Sequence, residues 1–189
     1  MKELVKKNRS YRRFYQDHEI SELQLMELID CARLTASSRN IQAIRFMIFN
    51  SSAMNNRIFP NLSWAGYIQD WDGPVEGERP SAYIVLLGDT TLAERFDIDT
   101  GIVAQTILLT ASSQDLGGCM VITMKRQELR QILRIPESFE MLMVIALGKP
   151  KEKVILDEIE QDGDIKYWRD ADQNHHVPKR KLQDVILRF

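Results

Sequence analysis

The chain has 189 residues, 44% hydrophobic and 28% charged, the composition of an ordinary globular domain that buries roughly 70% of its unfolded surface. A formal net charge of −2 excludes the global positive field that drives nucleic-acid binding. The basic start has no apolar run behind it, unlike a secretory signal, and residues 1–189 read as a single domain.

The first dense feature is 8-NRSYRRF-14, where Arg9, Arg12 and Arg13 crowd around Ser10 between Tyr11 and Phe14. Two readings stay open: a solvated basic face continuing Lys2, Lys6 and Lys7, or a phosphate clamp of guanidinium forks and a hydroxyl. Ser21-x-x-Gln24 is a capping box, with Leu25, Leu28, Ile29 and Ala32 at helical spacing behind it. That helix should end before a polar loop, 35-TASSRN-40. Ser37, Ser38, Asn40 and Gln42 then place four hydrogen-bonding side chains ahead of a strand, 44-IRFMIF-49.

Residues 51–80 read as loop, rich in proline and glycine, with Trp64, Tyr67 and Trp71 offering flat surfaces for a pocket wall or for packing. The apolar run 82-AYIVLLG-88 predicts a strand buried on both faces. Asp97 or Asp99 is expected to cap a long helix reaching Leu116, with Gly117-Gly118 as its stop. This segment carries Asp99, Gln105, Thr106 and Gln114, which makes it too polar for a membrane span. Strand 119–123, helix 126–133 and strand 141–148 follow. Residues 149–176 look charged and irregular, and Lys179, Arg180 and Lys181 follow Pro178 near the end. Strands separated by helices predict a layered α/β or α+β domain around a central sheet.

Motif chemistry is mostly exclusion. No GxGxxG follows the first strand, and neither a GxxxxGK[ST] loop nor a GxSxG elbow exists. His18 is isolated, and His175-His176 are adjacent, so they do not share one strand or helix face as metal ligands would; no metal site is expected. Cys31 and Cys119 lack zinc spacing and read as free buried thiols in a reducing cytoplasm. Helix capping accounts for Asp97 and Asp99. With no protein-only catalytic set, an enzyme here would rely on a cofactor. The polar groups at 9–12, 37–42 and 179–180 suit one shared ligand if the chain ends meet.

In this order the clusters resemble the FMN-dependent nitroreductase family over nearly the whole chain. Arg9-Ser10-Tyr11-Arg12 matches an R-S-x-R stretch, and 36-ASSRNIQA-43 matches part of a P-S-x-x-N-x-Q-P loop. The segment 99–118 is similar to a long helix running into G-L-G, and 178-PKRKL-182 to a basic C-terminal segment. Asn8 stands where many members carry a further arginine, Ala36 and Ala43 replace two prolines, and Ile44 replaces a common tryptophan.

The resemblance implies an α+β fold with a mostly antiparallel central sheet flanked by helices, and a cytoplasmic homodimer with two FMN at the interface. It implies that Arg9, Ser10 and Arg12 hold the phosphate, the ribityl chain and the N1/O2 edge, Arg12 lying near N1/O2. Lys179 and Arg180 would approach the phosphate. Ser37, Ser38, Asn40 and Gln42 would reach the partner's flavin, and the backbone at Ile122 and Thr123 would face N5. No protein residue would carry the chemistry. NAD(P)H would reduce FMN by hydride transfer to N5, and a nitroaromatic, quinone or similar acceptor would reoxidise it in ping-pong turnover beside Trp64, Tyr67 and Trp71. Dehalogenation or flavin fragmentation on the same scaffold, and flavin binding without turnover, are the alternatives.

Overall fold

The computed structural model describes residues 1–188. Helix α1 (Lys2–Lys7) leads into a two-residue strand β1 (Phe14–Tyr15). Helix α2 (Glu22–Arg33) forms as its sequence predicts: Ser21 accepts from the Gln24 amide, the Gln24 side chain closes the box, and Leu25, Leu28 and Ala32 face inward.

The central sheet is antiparallel throughout. It runs β2 (Ile44–Phe49), β3 (Ala82–Asp89), β5 (Phe139–Pro150), with β4 (Gly117–Val121) and β1 also paired to the long β5. Every residue of β3 is buried because each face meets its own core. Ala82, Ile84 and Leu86 pack with α2 and α4 (Asp97–Ser113), while Tyr83, Val85 and Leu87 pack with α5 (Arg126–Leu133) and the 58–71 segment. Period-two alternation between two apolar layers is what makes this strand read as one continuous apolar run.

Five expectations are corrected. Within 51–80 there is a helix, α3 (Ser52–Ile58), whose polar sequence hides it. Ser51 caps it locally on the Met54 amide, and the rest of its support is tertiary: Ile58 is buried, and the buried Asn55 donates to the Ser81 carbonyl at 2.7 Å. Residues 149–176 are not irregular throughout. Strands β6 (Val154–Ile159), β7 (Trp168–Arg169) and β8 (His175–Arg180) form a second sheet, with β8 parallel to β6 and antiparallel to β7. Pro178 is tolerated in β8 because β7 reaches only His175 and His176, which leaves a partner on one side there.

Gly117 and Gly118 do not stop α4; they belong to β4. The helix ends at Ser113, and Asp115 takes the left-handed turn with φ 59°. Nor does an aspartate cap its start. Phe96 is the N-cap residue, and Asp99 instead accepts from the Ser38 amide at 3.0 and 3.2 Å, anchoring the 35–42 loop. Of the thiols, Cys119 is buried, but Cys31 is exposed on α2. No helix among the described residues is long and apolar enough to cross a membrane.

Candidate functional site

The stretch 9–12 lies directly on β4. Ser10 bridges to Gly118, and the Tyr11 amide donates to the Gly118 carbonyl at 3.0 Å. Glycine is required there by close approach. A Cβ on Gly117 would meet the Tyr11 ring at 2.5 Å, and one on Gly118 would meet the Ala146 carbonyl oxygen at 2.5 Å. Across from this segment stands β8, which brings His175, Val177 and Lys179 to the same place.

Between them is a cavity of about 300 Å³ lined by Arg9, Ser10, Arg12, Gln105, His175 and Lys179, among others. A second cavity, of about 320 Å³, runs along β4 to Ile122 and Thr123 and is walled by Trp64. Arg12, Met120 and Tyr167 line both. The first cavity gathers three cationic side chains and no carboxylate, in a chain whose net charge is −2.

Arg12 is buried, and its guanidinium is held by neutral groups. One nitrogen lies 3.3 Å from the Ser10 carbonyl and 3.2 Å from His175 Nε2, and the guanidinium carbon is 4.8 Å from the Tyr167 ring centroid. Among the described residues no carboxylate forms an ion pair with this guanidinium; the nearby Glu152 accepts from the Arg12 backbone amide and pairs with Arg169 at 3.1 Å. His175 is 1% exposed. Burial, and then the positive charges of Arg12 and Arg169, push its imidazole down to about 4, so it is neutral at pH 7. A neutral ring that accepts through Nε2 carries its proton on Nδ1, and that buried atom has no hydrogen-bond partner among the described residues. Arg9 curls back to α1, donating to the carbonyls of Asn8 at 2.5 Å and Val5 at 2.8 Å.

The anticipated residues fall into three groups. Arg9, Ser10, Arg12 and Lys179 come together in the first cavity, and Ile122, Thr123 and Trp64 line the second. Arg180 instead turns its guanidinium to the Gln161 carbonyl. Tyr67 stacks obliquely on Tyr167 at 5.0 Å, and Trp71 lies under the Arg169 guanidinium at 4.2 Å. Ser37, Ser38, Asn40 and Gln42 lie away from both cavities. Ser37 and Gln42 border a small hollow between α2, β2 and α4, and Asn40 is exposed. Arg39, Asn40 and Gln42 all have left-handed backbone (φ 52°, 55° and 54°), a conformation held by Asp99 and by the Gln42 amide donating to Ser37 Oγ at 3.2 Å.

Sequence reading did not find His175 and Tyr167 as site residues. The only signal was the period of a strand: in β8, His175 and His176 must face opposite ways, and His176 turns from the cavity to lie between Asp157 at 2.8 Å and Asp170 at 3.2 Å.

Comparison with known proteins returns one family name. Residues 77–149 match the model of the nitroreductase family. A protein of Archaeoglobus fulgidus, provisionally named NADH dehydrogenase/NAD(P)H nitroreductase, is 26% identical over 149 residues, which is 75% of this chain and 80% of that one. Among solved structures, a nitroreductase family protein from Clostridium difficile 630 superposes with a TM-score of 0.66 at 22% identity, over 80% of this chain and 85% of that one. An FMN-dependent nitroreductase from Clostridium difficile R20291 does so with a TM-score of 0.66 at 20% identity, over 81% and 89%. At such identities the structural likeness speaks for the fold.

Proposed function

We infer that this chain, a member of the nitroreductase family, is an FMN-dependent oxidoreductase that draws electrons from NAD(P)H. The observation that carries the reading is the first cavity, where Arg9, Ser10 and Arg12 from one end of the chain meet Lys179 from the other, with no carboxylate among them. Such a donor set fits a phosphate-bearing ligand. The second cavity, continuing past Arg12 and Met120 toward Trp64, gives a flat ring system a place on the same track. A bound FMN would supply two-electron redox chemistry between NAD(P)H and a nitroaromatic, quinone or similar acceptor, by ping-pong turnover.

The protein's part is to bind and to tune. Arg9, Ser10 and Lys179 would hold the phosphate and ribityl end; Arg180, turned to Gln161, contributes less. Arg12 would stand at the N1/O2 edge, where negative charge grows on reduction. Its buried guanidinium is held by a carbonyl, a neutral imidazole and a ring face rather than by a carboxylate, so the donor is preorganised and free of a direct ion pair. Ile122 and Thr123 would face the ring system, beside Trp64, while Tyr67 and Trp71 buttress Tyr167 and Arg169 behind it. Ser37, Ser38, Asn40 and Gln42, remote from this chain's own cavities, would meet the flavin of a second copy in a homodimer.

Stopped-flow mixing of the FMN-loaded protein with NADH and NADPH tests the reading. The expected outcome is bleaching of the oxidised flavin band within seconds with at least one donor; no bleaching with either rejects it. In the same assay Arg12→Ala should weaken FMN binding by about 1.5–3 kcal/mol, the worth of a charge-assisted hydrogen bond. An unchanged dissociation constant together with an unchanged reduction potential would remove Arg12 from this role.

A further inference from the structure

Among the described residues Arg12 is the one charged residue that lines both cavities, so the place of its guanidinium bears on any ligand that spans them. An arginine side chain has many rotamers, and ordering it costs conformational entropy that its partners must offset. The Ser10 carbonyl, at 3.3 Å, is a long contact within the same short segment, and the Tyr167 ring at 4.8 Å attracts without fixing a direction. His175 Nε2, at 3.2 Å, is the side-chain acceptor, and it comes from the far end of the chain.

The carboxylate that could have taken this place is engaged elsewhere. Glu152 accepts from the Arg12 backbone amide and pairs with Arg169 of β7 at 3.1 Å. The second sheet thus draws the negative charge to Arg169 and offers Arg12 an imidazole instead. It also fixes that imidazole. His175 lies on β8, the central strand, where its amide donates to the Lys153 carbonyl at 2.8 Å and Arg169 is its cross-strand neighbour. Its ring packs 5.2 Å from Tyr167, the same ring that carries the Arg12 guanidinium.

Arginine only donates, so the Nε2 it meets must be the unprotonated nitrogen of the ring. The charges around His175 favour that state. Arg12 faces it from the 9–12 segment, Arg169 from β7, and Lys179 from the same face of β8. Glu152 is already paired with Arg169, and Asp157 and Asp170 contact His176 on the opposite face. A second proton on the ring would leave two cations 3.2 Å apart with no acceptor between them.

We propose that His175 is the positioning residue for Arg12: through its unprotonated Nε2 it holds the guanidinium at the junction of the two cavities, where that charge meets a bound ligand. This rests on the reading that FMN presents its N1/O2 edge to Arg12, and His175 acts on the flavin only through that arginine.

Histidine ¹⁵N NMR of the ligand-free wild type at pH 7 tests the first half and needs no variant. His175 should be a neutral ring with its proton on Nδ1; a ring protonated on Nε2, or on both nitrogens, overturns the proposal. FMN titration and the potential of the bound flavin, measured for wild type, Arg12→Ala, His175→Leu and the double variant, test the second half as a cycle. Dissociation constant and potential together give the affinity for reduced FMN. His175→Leu should weaken it about tenfold, and His175→Gln, which returns an acceptor to the place of Nε2, should recover most of the loss. In the Arg12→Ala background His175→Leu should change nothing. An equal loss with and without Arg12 makes His175 merely structural and overturns the proposal, as does wild-type affinity in His175→Leu. No binding of FMN to wild type rejects the flavin reading and this inference together, whereas binding with no coupling in the cycle rejects this inference alone.

Discussion

Arg13 shows how differently neighbouring arginines can be used. Its guanidinium grips Glu78 with two bonds, at 2.5 and 2.7 Å, and Lys151 reaches the same carboxylate at 3.0 Å. The Arg13 hydrogen bonds, helped by Lys151, hold the Glu78 carboxyl down at about 2 from an ordinary value of 4.5. Its folded-state pKa is thus lower than its unfolded one, so the stabilisation is complete above about pH 4.5 and is lost as pH falls toward 2. For a pair with Glu78 only 12% exposed, that is worth on the order of 1–3 kcal/mol. Urea unfolding of wild type and Glu78→Gln from pH 7 to pH 2 checks this: the gap in stability should be constant down to about pH 4.5 and close below it. A gap that does not change with pH would remove the charge from the account.

At the scale of elements, β4 decides the site. Its two glycines let the 9–12 segment and β5 approach within distances that no Cβ allows, and this puts Ser10 and Arg12 at the cavity. Gly118→Ala should force β4 away from Ala146 and Leu108, costing about 1–3 kcal/mol of stability as overpacked cores do, and lowering FMN affinity along with it. Chemical denaturation and flavin titration measure the two effects, and intact FMN affinity in a destabilised variant would separate the glycine from the site. The double glycine looks like a helix stop in sequence because glycine is common at both places. Only the packing against Tyr11 and Ala146 tells which one this is.

For the molecule as a whole, α4 has more apolar surface than one sheet can cover. Val103, Ala104, Ile107, Leu108 and Ala111 face the core, while Ile98 is 75% and Ile102 37% exposed. Two isoleucines left on the outer face of α4, beside Asp97 and Gln105, fit burial against a second copy, which supports the homodimer proposed above. Light scattering should therefore give twice the 21.9 kDa chain mass for the flavin-loaded protein. Ile98→Lys should yield a monomer that loses FMN. A monomer that keeps its flavin would contradict a site completed by the second copy.

Local chemistry was legible in the chain itself. The capping box of α2, the two-faced burial of β3 and the amphipathic α5 follow from residues close in sequence, because helix caps and side-chain periodicity act over a few positions. The arginine cluster and the basic segment at 179–180 were visible as clusters too. What required the folded chain was which members of each cluster share a surface. Lys179 lines the cavity and Arg180 does not, as adjacent residues of a strand point to opposite faces, while Arg12 and Arg13 part toward His175 and Glu78. Helix α3, the β6–β8–β7 sheet and the role of His175 depend on contacts between residues far apart in sequence. Apart from the two-residue period at His175-His176, their polar residues carry no signal of burial, so tertiary packing assigns them a place.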